Sequence, residues 1–152
     1  MLEPWATLGS HYVVNDRWLR LRADSCRTAD GVAVQPYYVH EYPDWVHVVA
    51  FDASMRVLVN RQYRQGFGGI CNELPCGGVD PMDASPLEAA RRELLEETGH
   101  TADRLEHLVS YSPNPATHAN RAHCFLALGV RRGADPVDGP VRAHRAPFRH
   151  RQ

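Results

Sequence analysis

Lysine is absent. All 17 basic residues are Arg, which reads as the mark of a GC-rich coding sequence more than as a functional device. An excess of either charge is missing too: 18 Asp and Glu leave a net charge of −1, so the composition gives no reason to expect nucleic acid or an anionic membrane as the main partner. No apolar run approaches the ~18 residues that a membrane-spanning helix needs. The N-terminus lacks a basic-then-apolar leader, and a cytoplasmic protein is expected. Cysteine is scarce and unpatterned. Cys26, Cys71, Cys76 and Cys124 form neither a C-x-x-C pair nor a zinc spacing, so they read as reduced thiols.

What remains is ordinary globular material. A chain of 152 residues with 43% hydrophobic content can bury a real core. Residues 1–42 read as an antiparallel sheet. Trp18 to Asp24 alternates apolar and polar residues, Asp30-Gly31 signals a turn, and Val32 to His40 supplies the return strand. Tyr37, Tyr38, Tyr42 and Trp45 could stack on a base, although packing in the sheet is the simpler reading of each. Val46 to Phe51 and Val57 to Arg61 read as short strands, followed by Gln62-Tyr63-Arg64 and a glycine-bearing loop over 66–69. Leu105 to Tyr111 and Ala122 to Val130 are further strands flanking a long polar loop, Ser112 to Arg121. Residues 133–152 are rich in Pro, Arg and His and read as a flexible C-terminal tail.

The chain is organised around Glu73 to His100. Ser85 can N-cap a helix, with Pro86 at its first position and Glu88 completing a capping box. Gly99 can end the helix in the left-handed conformation, giving about thirteen residues from Pro86 to Thr98. Leu87, Ala90 and Leu94 share one face of it, flanked by Leu95. Glu93 and Glu97 form an i, i+4 pair beside that face, with Glu96 alongside. Like charges at that spacing cost a few tenths of a kcal/mol in a bare helix, and Arg92 can neutralise only part of them. Hard oxygen donors converging on one place suit Mg²⁺ or Mn²⁺; the plainer alternative is a solvated acidic face.

The string Arg92-Glu93-Leu94-Leu95-Glu96-Glu97-Thr98-Gly99 resembles the Nudix box, G-x5-E-x7-R-E-U-x-E-E-x-G-U, with U a bulky aliphatic residue. Glu73-Leu-Pro-Cys-Gly77 is similar to the E-x-P-A-G segment of the ADP-ribose pyrophosphatase branch of that family. The chain departs from the pattern in three places. Counting back from Arg92 sets Gly78 and Ala84 at the first glycine and glutamate of the box; counting forward from Gly77 sets Asp83 there, with one extra loop residue. The second register is preferred, because a loop absorbs an insertion more easily than a helix. His100 stands at an aliphatic position, and the loop glutamate near the family's catalytic water is missing, with Asn120 nearest and His118 and His123 close by.

The resemblance implies a Nudix-type α/β/α sandwich with a mixed sheet over 43–132, preceded by a small N-terminal antiparallel sheet over 1–42 that pairs two subunits as a homodimer. It implies Mg²⁺ (or Mn²⁺) held by Glu93, Glu96, Glu97 and the carbonyl of Cys76. Glu93, Glu96 and Arg92 are the expected catalytic residues. It further implies that Arg64 meets substrate phosphate or ribose and Glu73 the substrate; on the residues alone, a surface ion pair for Arg64 and a loop anchor for Glu73 serve as well. The implied reaction is hydrolysis of a nucleoside diphosphate linked to another moiety, ADP-ribose or a nucleotide sugar. The rival readings are a Nudix enzyme acting on a nucleoside triphosphate, a dinucleotide or a GDP-sugar, and a Nudix-fold regulator that binds a nucleotide without hydrolysing it.

Overall fold

A computed structural model describes residues 3–133 and 146–149. The chain separates into two units, Met1–Pro43 with Ser112–Arg121, and Asp44–Tyr111 with Ala122–Gln152.

The first unit is built on three antiparallel strands, β1 (Ala6–Asn15), β2 (Arg20–Arg27) and β3 (Ala33–His40), in the order β1-β2-β3. Trp18, expected within a strand, lies in the turn before β2, where Asp16 Oδ1 accepts from the Trp18 and Leu19 N–H groups at 2.7 and 2.8 Å. The turn exists because a short Asp side chain satisfies backbone donors two and three residues on. The segment 112–121 joins this unit: His40 N–H donates to Thr117 O at 2.7 Å and Ala119 N–H to His40 O at 3.0 Å. Burial in the sheet is slight. Trp5, Leu8, Val13, Val32 and Tyr38 are exposed.

In the second unit a mixed sheet runs β7 (Cys76–Gly78), β4 (Trp45–Phe51), β10 (Ala122–Leu128), β9 (Leu105–Tyr111). β4 and β10 are parallel and the other pairs antiparallel. The alternation of β4 sends Val46, Val48 and Ala50 to a fully buried face, where Phe125, Ala127 and Leu105 join them. Helix α1 (Pro86–Thr98) covers that face with Ala89, Ala90 and Leu94. Burying a leucine in this way stabilises by about 1.5–3 kcal/mol. α1 is the one helix among the described residues.

Both ends of α1 lie where local chemistry sets them. Ser85 caps it from an extended conformation and accepts from Glu88 N–H at 3.3 Å, with Pro86 in the first turn. The Glu88 carboxylate turns to Arg91 Nε at 3.5 Å, so the reciprocal half of the capping box is replaced by an i, i+3 pair. Gly99 has φ of 69°, and its N–H donates to Leu95 O at 2.7 Å. His100, in the short strand β8 (His100–Thr101), follows this cap; its Nδ1–H donates to Thr98 O at 2.8 Å, which accommodates an imidazole at an aliphatic position.

Several short strands were not expected. β5 (Leu58–Arg64) carries Gln62-Tyr63-Arg64 inside the strand, and the glycine-bearing segment turns it back into β6 (Gly69–Glu73). The turn at Gly68 needs φ of 71°, which glycine tolerates. Within the expected tail, 134–145 and 150–152 lie outside the described residues. By contrast, β12 (Ala146–Arg149) pairs antiparallel with β5 at the edge of the order β12-β5-β6. An edge position tolerates Pro147, which has no N–H to donate. The short β11 (Arg131–Arg132) pairs with β8.

Gly99→Ala is expected to lower the unfolding free energy by about 1–2 kcal/mol, the cost of a Cβ in the left-handed region. Chemical denaturation would show it as a lower midpoint with an unchanged slope.

Candidate active site

The loop from β7 and helix α1 together set the carboxylates. Glu93 and Glu97 are 2% and 1% exposed, a costly place for a charge unless it is compensated. Arg92 supplies part of the compensation. Its Nε and Nη2 donate to Asp83 Oδ1 and Oδ2 at 3.0 and 2.8 Å, and Nη1 donates to Glu93 Oε1 at 2.8 Å and Glu96 Oε2 at 3.3 Å. Nη2 also reaches the Gly78 carbonyl at 3.0 Å. The planar fork of guanidinium makes this possible; an ammonium could not fill the set. The hydrogen bonds to Asp83 are the main reason the Arg92 pKa rises, and in return they hold the Asp83 carboxyl below its ordinary value.

Glu97 is held by backbone and amide. Its Oε2 accepts from Cys76 N–H at 3.0 Å and from Asn60 Nδ2 at 2.7 Å. Gly77 explains the tightness of the loop: a Cβ there would stand 2.1 Å from Glu93 Oε1. Gly77 must therefore lack a side chain, and Asp83 is the residue before the helix that meets Arg92. The Cys76 thiol is pushed up to about 11, chiefly by burial and then by the Glu97 charge. It stays protonated near neutrality and is a poor nucleophile.

Arg64 and Glu73 lie together. Arg64 Nε donates to Glu73 Oε1 and Oε2 at 3.0 Å each and Nη2 to Oε2 at 2.6 Å, while Gln62 Nε2 donates to Oε2 at 2.6 Å. Of the two readings open for each residue, the ion pair and the loop anchor are formed in this structure. Both also line a cavity of about 370 Å³ with Trp45, His47, Leu74 and Cys76. Cys76 links that cavity to Glu97. Trp45 faces the cavity instead of a packed sheet interior, and His47 is a lining residue that sequence reasoning missed. The available signal was parity: His47 alternates with Val46 and Val48, so it had to point away from the core. Burial lowers the His47 pKa, partly offset by Glu73, which keeps the ring neutral. A larger cavity of about 590 Å³ touches Asp83, Arg92 and several leucines but none of Glu93, Glu96 and Glu97.

Asn120 and His118 belong to the first unit. Asn120 Nδ2 donates to Pro43 O at 3.0 Å, and the His118 ring stacks on His40 with centroids 5.1 Å apart. These contacts engage the Asn120 amide nitrogen and the His118 ring, while the buried Asn120 Oδ1 has no hydrogen-bond partner among the described residues.

Among the described residues, no group of three or more His, Cys, Asp and Glu forms a preformed cage for a metal. The donor set nevertheless fits Mg²⁺ or Mn²⁺: hard carboxylate oxygens crowded on one helical turn, beside a glycine where a side chain would fill the space. Mg²⁺ usually takes one or two carboxylates, several waters and substrate phosphates, without an all-protein cage.

A carboxylate-bearing strand–loop–helix on a mixed sheet is the class of site these features define. The comparisons agree. Residues 41–145 match the NUDIX domain and residues 5–40 the nucleoside diphosphate sugar hydrolase N-terminal domain. The chain belongs to the Nudix family. It is 30% identical, over 86% of its length and 62% of the relative's, to an ADP-ribose pyrophosphatase of Mycobacterium tuberculosis. It is also 30% identical, over 90% of its length and 64% of the relative's, to the CMP-5'-(N-acetyl-N-hydroxy-3-aminopropyl)phosphonate hydrolase of Streptomyces rubellomurinus. The chain thus spans under two thirds of the length of these curated relatives. A crystal structure of an ADP compounds hydrolase shares the fold at a TM-score of 0.82 and 22% identity, covering 98% of this chain and 80% of that one. No helix among the described residues is long and apolar enough to cross a membrane.

The Asp83–Arg92 pair carries an expected pH dependence. A carboxyl depressed below its ordinary 3.8 contributes stability that is present above that value and is lost as pH falls through the folded value. Asp83→Asn should be less stable than the parent at neutral pH, and the two should converge in acid. Denaturation midpoints measured across a pH series check this.

Proposed function

We propose that this chain hydrolyses the diphosphate linkage of a nucleoside diphosphate joined to a second moiety, ADP-ribose or a nucleotide sugar. The observation that carries the reading is the pair of buried carboxylates, Glu93 and Glu97, the second of them hydrogen-bonded to the N–H of Cys76, a residue that lines the cavity with Arg64, Glu73 and Trp45. Burial of two negative charges on adjacent turns makes sense where cationic ligands and a phosphate meet them. The names of the pyrophosphatase and phosphonate hydrolase relatives support a diphosphate substrate class.

Glu93 and Glu97, with Glu96 and the Cys76 carbonyl, would hold Mg²⁺ or Mn²⁺. Such an ion, when bound, neutralises phosphate charge and lowers the pKa of a bound water. The chain's own residues do the rest. Arg92 donates to both Glu93 and Glu96 and orients them. Glu96 is the most water-accessible of the three glutamates, with 31% of its side chain exposed against 3% for Glu93, so it is the carboxylate placed to accept a proton from attacking water. Arg64, anchored by Glu73, presents its guanidinium edge to phosphate, and Trp45 offers a face for a base or ribose.

The protein acts as a homodimer in this reading. The first unit leaves Trp5, Leu8, Val13, Val32 and Tyr38 open to water, and β1 is a sheet edge. A second copy covers them. The four cysteines are free thiols, which suits a cytoplasmic location.

Glu97→Gln retains an acceptor for the Cys76 N–H and removes the charge. It should slow hydrolysis of ADP-ribose about a thousandfold, several kcal/mol of transition-state stabilisation, with an unaltered melting temperature. A panel of ADP-ribose, nucleotide sugars, dinucleotides and nucleoside triphosphates with Mg²⁺, scored by product release, distinguishes the substrate classes. Tight nucleotide binding with turnover of none would replace this reading with a regulator. Sedimentation should show a dimer that Leu8→Arg dissociates; a monomeric parent would refute the pairing.

A further inference from the structure

A second constellation lies outside the glutamate site. β9 and β10 place Ser110 directly opposite His123 in their antiparallel register. The Ser110 Oγ is 2.7 Å from His123 Nδ1, and His123 Nε2 is 3.0 Å from Asp44 Oδ2. Ser110 Oγ is also 2.7 Å from His107 Nε2.

Elementary chemistry fixes the proton positions in the neutral array. An ionised Asp44 only accepts, so His123 carries its proton on Nε2 and donates to it. His123 Nδ1 is then a lone pair, and Ser110 must donate its hydroxyl proton to it. The serine oxygen is left as an acceptor, and His107 Nε2–H donates to it. The result is a serine hydroxyl pointed at an imidazole base whose far side is held by a carboxylate, the signature of an activated nucleophile.

A backbone irregularity builds this arrangement. His107 and Ser110 are three residues apart, an odd separation that would normally send their side chains to opposite faces. The register shifts between Cys124 and Phe125, so that Phe125 pairs with His107 and Cys124 with Val109. Leu108 is thereby the extra residue of a bulge, and the bulge turns His107 onto the Ser110 side. The His107 ring stands edge-on to Phe125, with centroids 5.6 Å apart at 70°, which fixes its plane. His107 is exposed and Ser110 half-buried on an edge strand, so an electrophile can reach the oxygen from solvent.

We propose that Ser110 is a nucleophile, activated by His123 and Asp44, toward small activated carboxylic esters, and that the chain has a secondary esterase activity separate from its diphosphate chemistry. The Ser110 Oγ–acyl bond forms while the ester C–O bond to the alcohol breaks. The serine proton passes to His123 Nδ1 and from there to the leaving alcohol. Water, deprotonated in turn by His123, hydrolyses the acyl-serine, releases the carboxylic acid and restores the hydroxyl.

The test uses the full chain and p-nitrophenyl acetate. Parent protein should release p-nitrophenol faster than buffer, and rapid quenching followed by peptide mass mapping should find acetyl on Ser110. Ser110→Ala and His123→Asn should each lose about a hundredfold or more of this rate, the usual contribution of a positioned general base, and Asp44→Asn should lower it by fixing the wrong tautomer. Each variant is first shown to melt with the parent. Ser110→Ala should leave Mg²⁺-dependent ADP-ribose turnover unchanged, or unchanged at zero if that activity is absent, so the two readings stand or fall separately. Hydrolysis no faster than buffer, acetyl on a different residue, or a Ser110→Ala rate equal to the parent's would overturn the proposal.

Discussion

The Arg92 guanidinium is the interaction on which the second unit depends. It ties the loop before α1, through Asp83 and the Gly78 carbonyl, to two carboxylates on the helix itself. Each of these groups is tolerated because the others are present. Without the cation, Glu93 would be a buried charge against the Gly77 backbone, a situation that costs several kcal/mol. Without Asp83, the fork would lose the partner that sets its plane. Loop and helix are therefore one rigid piece, and the carboxylates it carries are oriented before any ligand arrives.

Glu97 shows the same economy with different partners. An amide from Asn60 on β5 and a backbone N–H from β7 converge on one oxygen, so three elements distant in sequence meet at a single carboxylate. That junction joins the helix to the cavity of Arg64, Glu73, Trp45 and His47. Arg64 is pre-bent by Glu73 into a fixed fork, and side-chain entropy that a phosphate contact would otherwise cost has already been removed.

Two sheet edges give the molecule its remaining chemistry. The first unit exposes apolar side chains from a three-stranded sheet, which a second copy can bury. At β9, by contrast, a bulge at Leu108 brings His107 and Ser110 together with His123 of the neighbouring β10. The first is an exposed apolar surface; the second is a hydrogen-bond chain whose order of donors points the serine proton at an imidazole.

How much of this was legible beforehand follows from the range of the forces involved. The helix was readable to the residue, because Ser85, Pro86 and Gly99 act on backbone groups within one turn of themselves. The family string Arg92 to Gly99 and the alternation of β4 were local in the same sense. The strand β6 was hidden, since Gly66 to Gly69 looks like a loop until a partner strand shows it to be a hairpin turn. Only the tertiary structure could pair Arg64 with Glu73, choose Asp83 for Arg92, single out Gly77, or bring Asp44, His123 and Ser110 into line. Those contacts join residues 9 to 79 positions apart, and hydrogen bonds of such separation depend on how strands register and where a bulge falls. Sequence by itself determined the elements whose stabilising groups lie within one helical turn or one strand; packing decided which of their side chains meet.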